Sequence, residues 1–199
     1  MKRLSLAIDC DDVLTPTAEW VIETYNSVYG AAVTLKDFYS TDPKIWKAST
    51  HEEAAARVGA LLKLPEYARL RPFDDATRVI PKLAEVHALH LVTGRAVYLE
   101  PITLTMLDTY FPLCFQSINH TGYFEGEKKG KGEICAELGI DVLVDDHMVH
   151  LNDVREIGLK EVILFGNYPW NQIGLLPFGV ERCVTWGDVE REVERIAGK

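Results

Sequence analysis

The sequence predicts an α/β protein in which a Rossmann-like, doubly wound parallel sheet carries a small helical cap inserted after the first strand. Short apolar runs alternate with helical patterns through most of the 199 residues, as is typical of parallel sheets. Acidic or hydroxyl side chains directly follow several of the runs. Residues 16–71 contain helical segments but no strong strand pattern. We therefore expect a core domain at residues 1–15 and 72–199 and a cap at residues 16–71.

The predicted elements follow one another in a regular order along the chain. Apolar runs predict strands at residues 4–8, 88–92, 114–118, 142–144, 162–165 and 182–185. Helical spacing predicts core helices at residues 75–86, 97–110, 131–138, 150–157 and 187–197. Two further helices are expected in the cap, at residues 17–29 and 50–62. Because α/β proteins place their sites at the carboxyl ends of parallel strands, the residues that follow these strands are the functional candidates.

The composition restricts the partners. A formal net charge of -9 argues against a nucleic-acid polymer, since binding one relies on Lys and Arg. A small phosphorylated substrate is compatible with that charge when a divalent cation reverses the local field. The four scattered cysteines predict reduced thiols in a cytoplasmic protein. The first apolar run is too short for a secretory leader or a membrane span. The oligomeric state stays open, a homodimer included.

The first candidate site is the acidic segment that follows the first predicted strand. Asp9, Asp11 and Asp12 lie within four positions behind a buried run. A single acid there could simply cap the next helix. Three clustered carboxylates repel one another unless a cation or protons compensate, so a functional role is favoured. If the chain turns after the strand, Asp9 and Asp11 can face one ligand.

Two further segments offer groups that suit a phosphate. Thr93 and Gly94 end the second strand and provide a hydroxyl and free backbone N–H groups, although Thr93 alone could cap a helix. Lys128, Lys129 and Lys131 precede a predicted helix, and a lysine there can neutralise phosphate charge. Lys131 is favoured among the three because it lies about one helix plus one strand before the next acids.

A second acidic pair follows the fourth predicted strand. Asp145 and Asp146 supply oxygen ligands of the kind that Mg²⁺ requires. His147 comes next, but the sequence has no HxxxH or CxxC partner for a zinc site. We therefore expect His147 to support the metal ligands rather than to bind the metal itself.

Taken in order, these motifs resemble those of the haloacid dehalogenase (HAD) superfamily. The resemblance covers the chain from Asp9 to Asp146 and implies a HAD core with a cap of the type inserted after the first motif. It implies that Asp9 forms an aspartyl-phosphate and that Asp11 is the general acid/base. It assigns the phosphoryl oxygens to Thr93, Gly94 and Lys131.

The same resemblance implies Mg²⁺ as the cofactor. The ion is expected on Asp9, on the Asp11 backbone carbonyl and on one acid of the 145–146 pair. Asp146 is favoured as the direct ligand, with Asp145 behind it. Dehalogenases lack the second acid of the first motif, so Asp11 indicates a phosphatase or a phosphomutase.

A narrower resemblance is to the 5′(3′)-deoxyribonucleotidase family. It rests on residues 9–14, on residues 131–146, on the Tyr-Pro-Trp-Asn segment at 168–171 and on the Cys-Val-Thr-Trp segment at 183–186. The chain departs from that family at Asp12, where Gly is usual, and in a longer segment at 172–181. The resemblance implies a nucleoside monophosphate as substrate, hydrolysed by a 5′-nucleotidase-like phosphatase.

Three aromatic residues of the predicted cap are candidates for substrate binding, and two alternative functions stay open. Phe38, Tyr39 and Trp46 are candidates for stacking on a nucleobase, or alternatively for packing between cap helices. A phosphatase or phosphomutase for another small metabolite is one rival. A receiver-like phosphate-binding module is the other, but there the paired acids precede the phosphorylated Asp, whereas here the candidate nucleophile comes first.

Overall fold

A computed structural model of the protein describes residues 2–121, 129–156, 158–159, 161–172 and 175–199. Six parallel strands form one sheet in the order β3-β2-β1-β4-β5-β6, which confirms the predicted fold class. The strands are β1 Ser5–Ile8, β2 Ala88–Thr93, β3 Phe115–His120, β4 Val142–Asp145, β5 Glu161–Phe165 and β6 Val180–Cys183.

The helices lie close to their predicted positions. They are α1 Thr17–Tyr29, α2 His51–Leu61, α3 Ala76–Val86, α4 Glu100–Tyr110, α5 Lys131–Leu138, α6 Met148–Glu156 and α7 Trp186–Ala197. The helix predicted at residues 97–110 is instead a 3₁₀ turn, Val97–Leu99, followed by α4. Pro101 explains this division, because proline lacks an N–H and is favoured in the first turn of a helix. None of the helices in the described residues is long and apolar enough to cross a membrane.

The sheet order places β1 at the centre of the fold. Both β2 and β4 pair with β1, so the chain leaves β1 on one side and returns to it on the other. Ile8 pairs with Val144, and the N–H of Asp9 donates to the Val144 carbonyl at 3.0 Å. The residues that follow β1 and β4 are therefore neighbours at the switch point of the sheet, where open α/β sheets bind ligands.

Alternation along the strands builds a hydrophobic core on each face of the sheet. Leu6 and Ile8 belong to the cluster packed by α3 and α7, whereas Ala7 belongs to the cluster packed by α5 and α6. These side chains are fully buried. Successive strand residues point to opposite faces, so a short apolar run supplies both cores and holds the strand ends rigidly.

The segment of residues 16–71 packs around a hydrophobic cluster of its own. The buried members of this cluster are Ile22, Tyr25, Val33, Trp46, Ala54 and Leu61. The Tyr25 hydroxyl donates to the Trp46 carbonyl at 2.7 Å, and the two rings meet edge to face. We call residues 16–71 the helical segment. Tyr67 and Thr17 of this segment both contact Asp11, which follows the carboxyl end of β1. The helical segment therefore lies over the carboxyl edge of the sheet.

Candidate active site

Asp9 is the first residue after β1, and its carboxylate is nearly buried. One oxygen accepts the Cys10 N–H at 2.7 Å, and the other lies 2.9 Å from the Lys131 ammonium. Burial and the nearby acids Asp145 and Asp11 raise the pKa of Asp9 to about 7, although Lys131 opposes the shift. The raised pKa means that the ionised Asp9 carboxylate would be stabilised by an additional cation nearby. The buried Cys10 thiol between the acids has its pKa raised to about 12, so it is not a competing nucleophile.

The chain turns sharply after Asp9. The N–H groups of Leu14 and Thr15 both donate to the Cys10 carbonyl, at 2.9 and 3.1 Å. Asp12 takes a left-handed conformation, with φ of 56°, within this turn. The turn brings Asp9 and Asp11 to the lining of one small pocket instead of opposite faces.

Asp11 is bound by a buried arginine. The Arg95 guanidinium contacts the carboxylate through Nη2 at 2.7 Å and Nε at 3.0 Å. Thr17 and Tyr67 of the helical segment donate to the same carboxylate at 2.5 and 3.2 Å. Burial alone would raise the pKa of Asp11, but the Arg95 charge and these hydrogen bonds lower it below the ordinary value. Asp11 is therefore an ionised carboxylate in this arrangement.

Asp12 lines the same small pocket but has a different partner from Asp11. Its side chain accepts the Ala18 N–H at 2.9 Å and so satisfies a free donor in the first turn of α1. Of the two roles predicted for these acids, function or helix capping, Asp12 has the capping one. Burial and the neighbouring carboxylates raise the pKa of Asp12 well above its ordinary value.

Lys131 begins α5 and is one of the most deeply buried charges in the described residues. Its ammonium lies 2.6 Å from Asp145 and 2.9 Å from Asp9, and these two acids raise the pKa of Lys131 against the opposing effect of burial. The other Asp145 oxygen accepts the His147 N–H at 2.8 Å. Lys129 contacts Glu137 on α5, and Lys128 lies outside the described residues.

Asp146 is held by a different set of contacts. Its carboxylate accepts the Trp170 indole N–H at 2.7 Å, and its backbone carbonyl accepts the Asn171 side-chain amide at 3.1 Å. Burial, Asp145 and Asp9 raise the pKa of Asp146 well above the ordinary value. The environment therefore disfavours an isolated negative charge at this position.

The three acids at the ends of β1 and β4 fit a hard cation. Oxygen atoms of Asp9, Asp145 and Asp146 lie within 4.8 Å of one another, and all three side chains are buried. The raised pKa of Asp9 and of Asp146 indicates that Lys131 alone does not offset the clustered charge. An all-carboxylate oxygen set of this kind matches Mg²⁺ rather than a metal that prefers nitrogen or sulfur.

Thr93, at the end of β2, contributes to the small pocket less directly than Gly94 and Lys131 do. Thr93 is fully buried, and its hydroxyl accepts the Arg95 N–H at 3.2 Å, which stabilises the turn after β2. Gly94 lines the small pocket, and a Cβ atom at this position would meet nothing within 4 Å. The structure thus brings Gly94 and Lys131 to the pocket of Asp9, with Thr93 supporting the loop that carries Gly94.

The three predicted cap aromatics occupy different surroundings. Trp46 is buried in the cluster of the helical segment and donates its indole N–H to the Ser40 carbonyl at 3.0 Å. Phe38 lies between that cluster and Trp170. Tyr39 is half exposed, with its ring 5.0 Å from His147 and 5.2 Å from Trp170. Packing thus accounts for Trp46, whereas Tyr39 faces the site.

Two cavities meet at these residues. The smaller one, of about 130 Å³, is lined by charged and polar groups that include Asp9, Lys131 and Asp146. The larger one, of about 720 Å³, opens between α2 and the loop after β2. Asp11, Tyr39 and Gly94 line both cavities, so the two are adjacent.

Comparison with known proteins identifies the fold. No family profile matches this sequence, and no curated protein matches it. Solved structures do match, over 98% of the chain in one case and 82% in another, and these two are HAD-superfamily hydrolases. A predicted phosphoglycolate phosphatase from Haemophilus somnus 129PT has a TM-score of 0.67 and 13% identity, covering 97% of this chain and 99% of that one. The chain has the same α/β fold as these HAD-superfamily hydrolases.

Two other structures show how wide this fold group is. An L-2-haloacid dehalogenase from Xanthobacter autotrophicus, with chloropropionic acid covalently bound, has a TM-score of 0.64 and 13% identity and covers 96% of this chain and 98% of that one. A Bacillus subtilis protein assigned to the HAD hydrolases, YfnB, is bound to magnesium. It has a TM-score of 0.60 and 14% identity over 100% of both chains. At these identities the likeness concerns the fold alone.

Sequence reasoning missed several residues of this HAD-fold site. Arg95 follows Thr93 and Gly94 in the chain, and nothing in the sequence indicates that it reaches Asp11. Tyr67 lies in a 3₁₀ turn of the helical segment and belongs to none of the sequence motifs described above. Trp170 belongs to the segment at 168–171, whose resemblance to the 5′(3′)-deoxyribonucleotidase family is the sequence signal that could have pointed to it. Contacts between distant segments leave no local pattern in a single sequence.

Proposed function

We propose that the protein is a phosphomonoester hydrolase that uses Asp9 as a covalent nucleophile. The observation that carries the proposal is one small pocket in which Asp9, Asp11, Lys131 and Asp146 converge on the switch point of a HAD-fold sheet. Asp11 favours phosphate esters over organohalides, because an alkoxide leaving group needs a proton and a halide does not.

The reaction would proceed in two displacements. An Asp9 oxygen attacks phosphorus, the bond from phosphorus to the ester oxygen breaks, and the leaving alcohol takes up a proton. Water then attacks the phosphorus of the aspartyl-phosphate, loses a proton and releases inorganic phosphate, which restores Asp9. Lys131, with Gly94 and the turn held by Thr93, would bind the phosphoryl oxygens.

Asp11 would move the protons in both displacements. Its ion pair with Arg95 keeps it ionised, which suits the general base that takes a proton from water. Protonating the leaving oxygen requires Asp11 first to take up a proton from solvent and to separate from Arg95, since an ion-paired carboxylate carries no proton. The proton that Asp11 then takes from the attacking water replaces the one it donated. Tyr67 and Thr17 contact the same carboxylate, so the helical segment, which we propose acts as a cap, is placed to influence this step.

Mg²⁺ is the proposed cofactor. Asp9, the Asp11 backbone carbonyl and Asp146 would hold it, and it would offset charge between nucleophile and phosphate. Asp145 is a weaker candidate for direct binding, because its oxygens already contact Lys131 and the His147 N–H. His147 is half-buried, and burial lowers its pKa. It would support Asp145 through its backbone.

The proposed substrate is a nucleoside monophosphate, and the proposed location is the cytoplasm. The substrate rests on the resemblance to 5′(3′)-deoxyribonucleotidases, and Tyr39 at the mouth of the pocket is the aromatic ring placed to meet a base. The location rests on four buried free cysteines. A phosphatase or mutase for another phosphometabolite is the alternative function.

The test is a measurement of phosphate release from nucleoside monophosphates, sugar phosphates and simple alkyl phosphates, with Mg²⁺ and with excess chelator. We expect steady multiple turnover in Mg²⁺, loss of turnover in chelator, and the highest kcat/KM for a nucleotide. Transfer of phosphate between sugar positions without release would support the mutase instead. Full turnover in chelator would exclude the proposed metal.

A further inference from the structure

Most residues that line the larger cavity have no role in the proposed phosphoryl transfer. Its volume of about 720 Å³ lies within the range of small-molecule sites, and it shares Asp11, Tyr39 and Gly94 with the lining of the adjacent polar pocket. Aromatic residues from two regions are in its lining: Phe38, Tyr39 and the otherwise buried Trp46 from the helical segment and Tyr98 from the loop after β2. Such a wall favours a ring or another apolar body.

One face of α2 forms the opposite wall. Its lining residues recur at helical spacing, and they are His51, Ala54, Ala55, Val58, Gly59 and Leu62. Three of them are Ala or Gly, and this leaves room for a ligand where larger side chains would fill the space. A Cβ added at Gly59 would meet only the Tyr98 hydroxyl, at 3.8 Å.

The charges around the cavity restrict the ligand further. Among the described lining residues, Arg95 is the one side chain with a permanent positive charge, and Asp11 already pairs with it. His51 is exposed at the start of α2, where solvent screens any charge it carries. Within the described part of its lining, the cavity therefore offers no buried, unpaired cation for a second phosphate or a carboxylate.

We propose that this cavity binds the leaving group of the substrate and selects a neutral, ring-bearing alcohol over one that carries a second anionic group. The proposal rests on the proposed phosphomonoesterase function and adds the substrate class. The α2 face is then the part of the chain that sets leaving-group specificity, and Ala55 is its most informative residue because it is exposed toward the cavity.

The test uses phosphonates, which bind without being hydrolysed. Calorimetry in Mg²⁺ would compare benzylphosphonate, ethylphosphonate and 4-carboxybenzylphosphonate on the intact chain. We expect benzylphosphonate to bind at least about tenfold more tightly than either of the other two. Equal or tighter binding of the carboxylated compound would overturn the neutral-ligand proposal. Equal binding of the ethyl and benzyl compounds would overturn the ring-bearing one.

Two neighbouring alanines supply a matched pair of variants. Ala55 and Ala56 are both exposed on α2, but only Ala55 lines the cavity. Ala55→Phe should remove the benzyl preference and leave ethylphosphonate binding unchanged, whereas Ala56→Phe should change neither. An unchanged preference in Ala55→Phe would refute the location of the site. A preference for benzylphosphonate without any phosphate release from esters would instead count against the phosphatase function and leave the cavity proposal standing.

Discussion

The polar pocket and the apolar cavity differ in how the chain builds them. The polar pocket is formed mainly by residues that follow β1 and β4 and by the start of α5, all fixed by the sheet. The cavity is formed mainly by the helical segment and one loop, around aromatic rings and small side chains. In the proposed function the two regions have separate tasks, since the sheet would supply the charged groups of the reaction and the helical segment the shape around the rest of the ligand.

Charge is the second difference between the two regions. The polar pocket has Asp9, Asp11, Asp12 and Asp146 in its lining, with Lys131 as the buried cation there. The cavity has a balanced pair, Asp11 with Arg95. The pocket thus carries an excess of carboxylates that a divalent ion can offset, while the cavity is close to neutral.

The largest expected effect comes from removing the nucleophile. Asp9→Asn keeps the shape of the side chain but cannot form the acyl-phosphate, so kcat in a phosphate-release assay should fall at least about 10³-fold. Asp12→Asn, in the same loop, is the control and should retain most of the activity, because the amide oxygen can still accept the Ala18 N–H and no step of the proposed reaction uses Asp12. Substantial turnover in Asp9→Asn would rule out the covalent mechanism.

The second prediction concerns the pH dependence of stability in the metal-free protein. The folded state raises the pKa of Asp9 to about 7, so folding binds a proton, and this contribution to stability is lost as pH rises through that value. Relative to the wild type, Asp9→Asn should gain on the order of 2 kcal/mol in unfolding free energy between about pH 5 and about pH 8.

Urea unfolding of both proteins in chelator measures this difference. Several histidines with lowered pKa, among them His87 and His90, make stability rise with pH. Their effect is common to both proteins and cancels in the comparison. A constant difference between the variant and the wild type across this pH range would show that Asp9 carries no raised pKa.

The third prediction tests the support of Asp146. Trp170→Phe keeps a ring stacked near Tyr168 but loses the indole N–H that holds the Asp146 carboxylate. We expect Mg²⁺ affinity, measured by calorimetry, to weaken by about tenfold. Trp46→Phe makes the same exchange at an indole that donates to the Ser40 carbonyl rather than to a carboxylate, so it is the control and should keep the wild-type affinity. Equal affinities in the two variants would remove Trp170 from the metal site.

The smallest expected effect is a gain in stability. Asp12→Asn keeps an oxygen for the Ala18 N–H and tolerates the left-handed backbone, while it removes one of the crowded carboxylates. The unfolding free energy of the metal-free protein should rise by about 1 kcal/mol at neutral pH. Asp12→Ala should destabilise, because it loses the capping oxygen and strains the positive φ. Destabilisation by Asp12→Asn would mean that the charge itself is needed.

Much of the fold was predictable because its signals are local. The start of α5 at Lys131 and the end of β1 at Ile8 both agree with the sequence-based expectations. Each depends on spacing within a few residues, at the strand period of two or the helix period of 3.6. The strand order was not predictable in the same way, since it depends on which apolar faces pack together.

The sequence by itself determined that acids, a hydroxyl and a lysine follow strands whose carboxyl ends must share one edge of a sheet. Only the tertiary structure decided which groups meet there. Arg95 reaches Asp11 across 84 positions, Tyr67 reaches it across 56, and Asp12 instead caps α1. The physical reason is that periodicity along the chain specifies an element and its buried face, whereas a contact between distant loops depends on how packed elements orient both of them.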